Sequence, residues 1–343
     1  MKRNEMKKPL SGHGRLVKFL TVSLALSFFS CGFSKDGSQK KESLKIVNWN
    51  LQTFFDAKFD GNEYDEYKSS KSGWNLTKYE ERLNRLATAI KELDADVFVM
   101  EELEKEAQLQ DIANQLSGTF NFSKLYKYAV FTTGQGSSIG CAVLSRYPID
   151  TISVHTLDCR SKEKQPPMRP IMQFSIYKNK KSLTIFVNHW KSKSGGEEIS
   201  EFWRNKQEKM LARLMKKAKG KNRAVLATGD FNKDISEFET KLFPEFQGKG
   251  HKENVILHGE ENIEVYSPWI LENGNLREGG SYWYKNKWER IDHFFTTGEI
   301  ELTDFRAENA GAWAYEDGHP RRYQLWNGKG YSDHLPISCT VRF

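Results

Sequence analysis

The chain is poor in cysteine and in long apolar segments, and both shortages exclude classes of protein. Its 343 residues include four cysteines, at positions 31, 141, 159 and 339. Their spacing matches neither a disulfide framework nor a zinc site. The apolar run at 19–29 has eleven residues, whereas a membrane-spanning helix needs roughly 20. We therefore expect no permanent transmembrane helix, and we expect Cys141 and Cys339, which lie in apolar strand-like runs, to be core residues.

Net charge is also low once the start of the chain is set aside. The formal charge of the whole sequence is +7, but residues 1–30 hold six Lys or Arg and one acid. The remainder carries 46 basic and 44 acidic residues, a net of +2. Overall charge therefore gives no argument for a nucleic-acid partner.

The first thirty residues have the pattern of an export signal. Basic residues up to Lys18 precede the apolar run, and Ser30 and Cys31 follow it. This order is typical of a signal peptide, and the small residue before Cys31 resembles a bacterial lipoprotein cleavage site. The pattern predicts export, with residues 1–30 removed. Lipidation of Cys31 would anchor the protein to a membrane of the bacterial cell envelope, and simple secretion is the alternative. Residues 31–43 would form a flexible tether and 44–343 the folded domain.

The rest of the chain alternates short apolar strands with amphipathic helices, which predicts an α/β (α+β) domain. Strands are expected at 44–49, 96–100, 138–145, 183–188, 224–228 and 337–343, with a loop at 59–75. The segment from Thr77 to Glu80 has the form of a capping box, followed by apolar residues at helical spacing up to Leu93. A second helix is expected at 199–219. A hairpin around Asn286 is expected to join 281–284 with 290–296.

Polar residues fall at the ends of these predicted strands, where α/β folds place ligands. Together they form a set of hard oxygen ligands with two imidazoles, which suits magnesium, manganese or calcium better than zinc. The residues are Asn50, Glu102, His189, Asp230, Asn232, Asp333 and His334.

Six ordered segments resemble the endonuclease/exonuclease/phosphatase superfamily, and the resemblance covers nearly all of 44–343. This superfamily includes deoxyribonuclease-I-like nucleases, apurinic-site endonucleases, neutral sphingomyelinases and inositol polyphosphate phosphatases. The resemblance implies a four-layer sandwich of two packed mixed β-sheets flanked by helices, with the site at one edge of the sheets. The segments are Asn48-Trp49-Asn50, Met100-Glu101-Glu102, Asn188-His189-Trp190-Lys191-Ser192, Gly229-Asp230-Phe231-Asn232, Arg290-Ile291-Asp292 and Ser332-Asp333-His334.

The resemblance also implies a divalent metal, with Mg²⁺ expected and Mn²⁺ or Ca²⁺ as alternatives. Glu102 matches the metal-binding glutamate of the family, and Asn50 and Asp333 match its neighbours. The metal would act as a Lewis acid on the phosphoryl group. Asp230 and Asn232 match the pair that orients or deprotonates the attacking water and contacts the phosphate.

Two histidines complete the implied catalytic set. His334 matches a histidine that is paired with a carboxylate, here Asp292, and His189 matches the histidine that protonates the leaving oxygen. The resemblance leaves the general base open between Asp230 and His334. Deoxyribonuclease-I-like enzymes support the first histidine with a glutamate, and the corresponding region here, 135–140, has no acid. We therefore expect another group to orient His189.

Candidate substrate contacts lie in two places. Arg169 is expected to contact phosphate. The segment 312–331, rich in Trp, Tyr, Arg and Gly, is expected to be a loop beside the site, and the aromatic residues at 281–288 are expected mostly in the core. The candidates in the loop, for stacking and charge, are Arg321, Arg322, Tyr323 and Trp326.

Three functions follow from the sequence. The first is an exported nuclease that hydrolyses DNA or RNA by in-line attack of water. The second is a sphingomyelinase-type lipid phosphodiesterase or an inositol-phosphate phosphatase. The third is a non-catalytic surface-binding lipoprotein of the same fold. No protein partner is inferred, and a monomer is expected.

Overall fold

The computed structural model describes residues 15–18, 41–118, 120–158, 165–220, 223–241 and 253–343. Cys31, with the cleavage site and most of the tether, lies outside these ranges, so lipidation and export remain predictions. Within the predicted leader, residues 15–18 form a strand that pairs with Tyr128–Phe131 at a sheet edge. Cys141 and Cys339 are buried free thiols, as predicted. Among the described residues, no helix is both long and apolar enough to cross a membrane.

The described residues form four α-helices and seventeen strands. The helices are α1 Asp65–Lys68, α2 Leu76–Leu93, α3 Ala107–Leu116 and α4 Glu197–Lys219. The strands are β1 Arg15–Lys18, β2 Ser43–Phe54, β3 Val97–Leu103, β4 Tyr128–Thr133, β5 Gly140–Ser145, β6 Ile149–His155, β7 Ile171–Lys178, β8 Lys181–His189, β9 Ala224–Asp230, β10 Glu239–Thr240, β11 Val255–Leu257, β12 Ile263–Val265, β13 Tyr282–Tyr284, β14 Lys287–Glu289, β15 Asp292–Thr297, β16 Glu301–Ala307 and β17 Ile337–Arg342.

Two mixed sheets face each other. The larger has the order β1-β4-β5-β3-β2-β17-β16, and the smaller has the order β15-β9-β8-β7-β6. Each contains one parallel pair, β2 with β3 and β8 with β9. The core between them joins residues such as Val99 and Val143 to Phe174 and Ile185. Helices α2 and α3 pack against the other face of the larger sheet, and α4 packs against β9. The predicted sandwich of packed mixed sheets with outer helices is confirmed.

The two parallel pairs determine where the polar residues lie. Parallel strands bring their carboxyl ends to the same edge of a sheet. Asn50 lies opposite Glu101 across β2 and β3, and His189 lies opposite Asp230 across β8 and β9. Asp292, the first residue of the antiparallel β15, lies opposite Asp230 on its other side. The register therefore assembles one polar edge from both sheets.

Several predicted boundaries differ from the structure. Helix α2 is capped by Asn75, whose side chain accepts a hydrogen bond from Lys78 N at 3.0 Å, and Thr77 lies inside the helix. Asn is as effective an N-cap as Thr, so the capping-box prediction was wrong. Strand β2 continues past Asn50 to residue 54, and the expected loop at 59–75 contains α1. Helix α3 and strands β6 and β7 were not predicted.

The predicted hairpin has a different second strand. Tyr282–Tyr284 pairs with Lys287–Glu289. The turn residues Lys285 and Asn286 both have positive φ, 47° and 61°, as two-residue hairpin turns of type I′ require. Such a tight turn pairs the strand with the residues that follow at once. Asp292–Thr297 is therefore free to join the smaller sheet beside β9.

Candidate active site

Glu102 lies at a distortion shared by β2 and β3. The pairing of these strands is regular up to Asn50 and then shifts before Phe54. Three residues there have left-handed φ values, Gln52 at 52°, Thr53 at 48° and Glu102 at 71°. The Thr53 amide donates a 2.5 Å hydrogen bond to Glu102 Oε2. The local strain therefore serves to hold the Glu102 carboxylate at the sheet edge.

A buried arginine of α2 stabilises this distortion. The guanidinium of Arg82 donates to three successive carbonyls, those of Leu51, Gln52 and Thr53, at 2.6, 2.7 and 3.0 Å. Its charge is also placed over the ring of Tyr323, 3.7 Å from the centroid. Arg82 thus satisfies carbonyls that the broken strand pairing leaves without partners.

Three side chains from three other strands converge beside Glu102. The Asn50 amide nitrogen donates to Glu102 Oε1 at 3.2 Å and to Asp230 Oδ2 at 3.0 Å. His189 Nε2 lies 3.6 Å from the same Glu102 oxygen and 3.7 Å from the same Asp230 oxygen. The predicted residues Asn50, Glu102, His189 and Asp230 therefore share one site.

The carboxylate of Asp230 is fixed by the turn that follows β9. Gly229 has φ of +139°, and a Cβ there would lie 1.9 Å from the carbonyl oxygen of Asn188. Asn232, with φ of 48°, donates its backbone N–H to Asp230 Oδ1 at 2.8 Å and its amide to Oδ2 at 3.0 Å. Burial raises the pKa of Asp230 to about 7, against the opposing effect of His334.

His334 and Asp292 form a buried pair on the other side of Asp230. Nδ1 of His334 lies 2.8 Å from Asp292 Oδ2. The segment is joined to β2 because Ser332 Oγ donates to the carbonyl of Asn50 at 2.6 Å. Burial opposes the imidazolium charge, but the carboxylate of Asp292 outweighs it and the pKa of His334 is raised well above its usual value. The Asp292 carboxylate therefore favours the protonated ring.

The pKa of His189 is shifted in the opposite direction. Burial, followed by the nearby charge of Arg169, lowers it well below the usual value, which favours the neutral ring. Among the described residues its Nδ1 atom has no hydrogen-bond partner, in line with the missing acid at 135–140. Arg169 Nε donates to the carbonyl of His189 at 3.3 Å, and Nη2 donates to that of Trp190. Arg169 therefore borders the site, and it holds the backbone of the histidine.

Asp333 and Arg322 lie at the more open side of the site. Asp333 Oδ1 is 4.0 Å from His334 Nε2, and its Oδ2 is 4.0 Å from Arg322 Nε. The side chain of Arg322 is 68% exposed, which leaves it available to a ligand. Arg322 is thus the candidate of the 312–331 segment that borders the polar edge.

The other three candidates of that segment lie elsewhere. Tyr323 is 3% exposed and packs against Arg82 in the core, so it does not present a stacking face to solvent. Arg321 is exposed and donates to the carbonyl of Ala312 at 3.1 Å. Trp326 is 71% exposed. Neither side chain forms a hydrogen bond or an ion pair with the described residues of the site.

Two residues of the site were not singled out by the sequence. Glu101 is fully buried and accepts a hydrogen bond from Asn48 at 3.3 Å. Burial and the charge of Asp292 raise its pKa well above the usual value. The ring of Tyr282 lies 4.7 Å from that of His334. Because neighbouring residues of a strand lie on opposite faces, the sequence could have indicated that Glu101 and Glu102 have different surroundings.

The donor set has the oxygen chemistry of a hard divalent cation site. Among the described residues, however, no group of three or more His, Cys, Asp or Glu is placed to hold a metal ion. Burial, followed by the charge of Asp333, raises the pKa of Glu102, so a cation beside these carboxylates would offset their repulsion. Mg²⁺ is commonly held by one or two carboxylates and water. Asn50 Oδ1 accepts from Gln52 N at 2.9 Å, so in this structure Asn50 bridges Glu102 and Asp230 through its nitrogen.

The model of the endonuclease/exonuclease/phosphatase family matches residues 47–334. The chain belongs to this family. Its members hydrolyse phosphoester bonds and generally use divalent metals, and this chain is accordingly a phosphoester hydrolase. The matched segment contains every residue of the polar edge described above.

Solved structures share the fold at low sequence identity. An endonuclease/exonuclease/phosphatase family protein from Bacteroides thetaiotaomicron is 16% identical, with 89% of this chain and 99% of that chain covered and a TM-score of 0.53. The mannosyl-6-phosphatase Bt3783 of the same organism is also 16% identical, with 88% and 100% covered and a TM-score of 0.51. TDP2 from D. rerio, complexed with a single-strand DNA product, is 16% identical, with 87% and 98% covered and a TM-score of 0.51. A search of curated proteins finds no match.

Proposed function

We propose that this family member is a Mg²⁺-dependent phosphodiesterase, an exported nuclease that hydrolyses DNA or RNA. The observation that carries the proposal is the convergence at one sheet edge of a carboxylate cluster with a histidine–aspartate pair. Asn50 joins Glu102 to Asp230, and Asp292, opposite Asp230 in the register, holds His334. A non-catalytic binding protein would have no need of this set.

Each group has a role that follows from its surroundings. Glu102 and Asp333 would hold the metal, which when bound supplies Lewis-acid stabilisation of the phosphoryl oxygens. Asp230 orients the attacking water and accepts its proton, because Asn50 and Asn232 fix both oxygens of the carboxylate. The protonated ring of His334 stabilises the negative charge that develops on the phosphate.

The second histidine is placed for the leaving group. Nε2 of His189 faces Glu102 and Asp230 from β8. To protonate the departing oxygen, the ring must first take up a proton from solvent at Nε2 and then act as the imidazolium. Hydrolysis then proceeds by in-line attack of water, without a covalent enzyme intermediate.

Two further features support the substrate and the location. The similar fold of TDP2 holds a single-strand DNA product, and the exposed Arg322 beside Asp333 can contact a phosphate. The leader at 1–30 and the Ser30-Cys31 step support export, with Cys31 lipidated and the domain tethered through 31–43.

A substrate panel tests this function. Purified protein is given plasmid DNA, RNA, sphingomyelin, phosphoinositides and mannose 6-phosphate, each with Mg²⁺ and with excess chelator. We expect chelator-sensitive cleavage of nucleic acid, and a large loss of rate in His334→Ala. If only a lipid or a phosphomonoester is hydrolysed, the protein is a phosphoesterase of another substrate class and not a nuclease. No turnover of any of them would overturn the catalytic proposal.

A further inference from the structure

The hairpin of β13 and β14 carries two tyrosines, one exposed to solvent and one beside His334. Strand alternation places Tyr282 and Tyr284 on one face, and their rings are stacked with centroids 6.0 Å apart and planes 19° apart. The inner ring, Tyr282, lies 4.7 Å from the imidazole of His334. The outer ring, Tyr284, is 47% exposed. The expectation that the aromatic residues of this segment are mostly core is therefore wrong, because Tyr284 is exposed and Tyr282, Trp283 and Trp288 are only partly buried.

The hairpin is fixed in place by its other face. Trp283 packs against Trp288, with ring centroids 5.1 Å apart, and stacks on His319 at 3.9 Å. These contacts join the hairpin to the 312–331 segment. The tyrosine face is therefore held in a defined orientation.

The same hairpin is hydrogen-bonded to the catalytic segment. Tyr282 forms an isolated antiparallel bridge with His334, and Leu335 N donates to the carbonyl of Ser281 at 2.7 Å. The tyrosine rings and the imidazole therefore keep a fixed spacing. A ligand stacked on the rings would have a defined position relative to a phosphate bound at His334.

Two lysines of the turn lie near the outer ring. Lys285 Nζ lies 5.2 Å from the centroid of Tyr284, and Lys287 follows on the exposed side of the turn. Flat aromatic faces flanked by cations match a ligand that has both π-faces and repeated negative charge. A nucleic-acid strand has both, whereas neither a sugar phosphate nor a phospholipid headgroup has a π-face.

We propose that Tyr282 and Tyr284 form a stacking platform for an unpaired base next to the scissile phosphate, and that the enzyme prefers single-stranded nucleic acid. This inference rests on the proposed nuclease function. In a duplex each base face is covered by its neighbours, so a base can stack on Tyr284 only where the strand is unpaired. Stacking on aromatic rings tolerates any base, so the preference is for strand form and not for sequence.

Binding without hydrolysis tests the platform separately from catalysis. Fluorescence anisotropy in excess chelator measures the Kd of the full chain for a short labelled single strand, a base-free sugar-phosphate strand of equal length and a hairpin duplex. The variants are Tyr284→Ala, Tyr284→Phe, which retains the ring, and the matched control Tyr177→Ala. Tyr177 is 43% exposed and lies at the opposite end of β7 from the site.

We expect Tyr284→Ala to raise the Kd for the single strand by about 5- to 100-fold. Tyr284→Phe and Tyr177→Ala should bind as the wild type does, and the base-free strand should bind wild type and Tyr284→Ala equally. An unchanged Kd in Tyr284→Ala, or equal affinity of the wild type for duplex and single strand, overturns the platform.

Turnover with Mg²⁺ then separates the two proposals. If nucleic acid is hydrolysed but the Kd of Tyr284→Ala is unchanged, the stacking platform is wrong and the nuclease function stands. If binding depends on the ring but no phosphodiester is hydrolysed, the stacking platform is supported and the proposed function is wrong.

Discussion

His334 Nδ1 lies 2.8 Å from the Asp292 carboxylate, and both side chains are buried. This pairing gives the site its cation, because Asp292 outweighs the burial that would otherwise keep the ring neutral. We expect Asp292→Asn to lower kcat by about 10²- to 10⁴-fold, since an amide cannot stabilise the imidazolium. The measurement is the initial rate of phosphodiester cleavage under saturating substrate.

A matched control and a double variant sharpen that test. Asp304→Asn changes an exposed carboxylate of β16 and should leave kcat unchanged. If Asp292 acts through the ring, Asp292→Asn combined with His334→Ala should be no slower than His334→Ala alone. Additive losses in the double variant would mean that the two residues act independently.

Gly229 should be irreplaceable, because of both its conformation and its close contact with β8. In Gly229→Ala the new Cβ would meet the Asn188 carbonyl at 1.9 Å, and we expect a loss of about 3 kcal/mol or more in the free energy of unfolding. Gly195→Ala is the matched control, because its φ is +89° but nothing lies within 4 Å. It should cost only about 1–2 kcal/mol. Urea denaturation measures both, and equal losses would contradict the packing argument.

Arg82 should matter to the site although it lies behind it. Replacement by Lys loses the planar fork that holds the carbonyls of residues 51–53, and we expect weaker activation by Mg²⁺ because Thr53 no longer positions Glu102. Arg85→Lys is the matched control, since Arg85 also donates to two carbonyls, of Gly328 and Gly330, remote from Glu102. Mg²⁺ titrations of the rate compare the variants. An equal shift of the Mg²⁺ titration in Arg82→Lys and Arg85→Lys would mean that Arg82 has a purely structural role.

The sequence predicts the polar edge but not the contacts that support it. Parallel pairing brings strand ends together, so the positions of Asn50, Glu102, His189 and Asp230 could be inferred from where the apolar runs stop. The role of Arg82 could not, because helix periodicity marks apolar positions as buried and treats a charged residue as exposed. Its burial depends on carbonyls released by the distortion in β2, which is visible only in three dimensions.

The aromatic residues were the least predictable part. Tyr323 was expected at the surface and is buried against Arg82, whereas Tyr284 was expected in the core and is exposed. The error at Tyr284 follows from the hairpin, whose second strand was placed three residues too late, and the error at Tyr323 follows from the buried position of Arg82. The tight turn at Lys285 and Asn286 depends on positive φ at both residues, and only the Asn was a clear signal for it.

His293 should make folding sensitive to acid. It is buried, and burial lowers its pKa to about 4, below the 6.5 of an unfolded chain. Because the unfolded state takes up the proton first, this stabilisation is present above pH 6.5 and is lost as the pH falls towards 4. Between pH 7 and pH 5 the wild type should lose about 2 kcal/mol more than His293→Gln. Urea denaturation at the two pH values measures this, and parallel losses would contradict it.

Mg²⁺ should stabilise the fold through Glu102. A ligand that binds only the native state at about 100 times its Kd adds about 2.7 kcal/mol to the free energy of unfolding, so Tm should rise with Mg²⁺. Glu102→Gln should abolish that rise, whereas Glu299→Gln, at an exposed position, should retain it. A Tm that rises equally in Glu102→Gln would place the metal elsewhere.

The central claim is that this polar edge hydrolyses phosphodiesters with a metal. Its most direct test is the cleavage rate of a labelled single-stranded oligonucleotide by the purified full chain, with Mg²⁺ and with excess chelator, for the wild type and His334→Ala. We expect rapid cleavage by the wild type with Mg²⁺, none with chelator, and a rate about 10²- to 10⁴-fold lower in His334→Ala. Cleavage that survives chelation, or that is equal in wild type and His334→Ala, would contradict it.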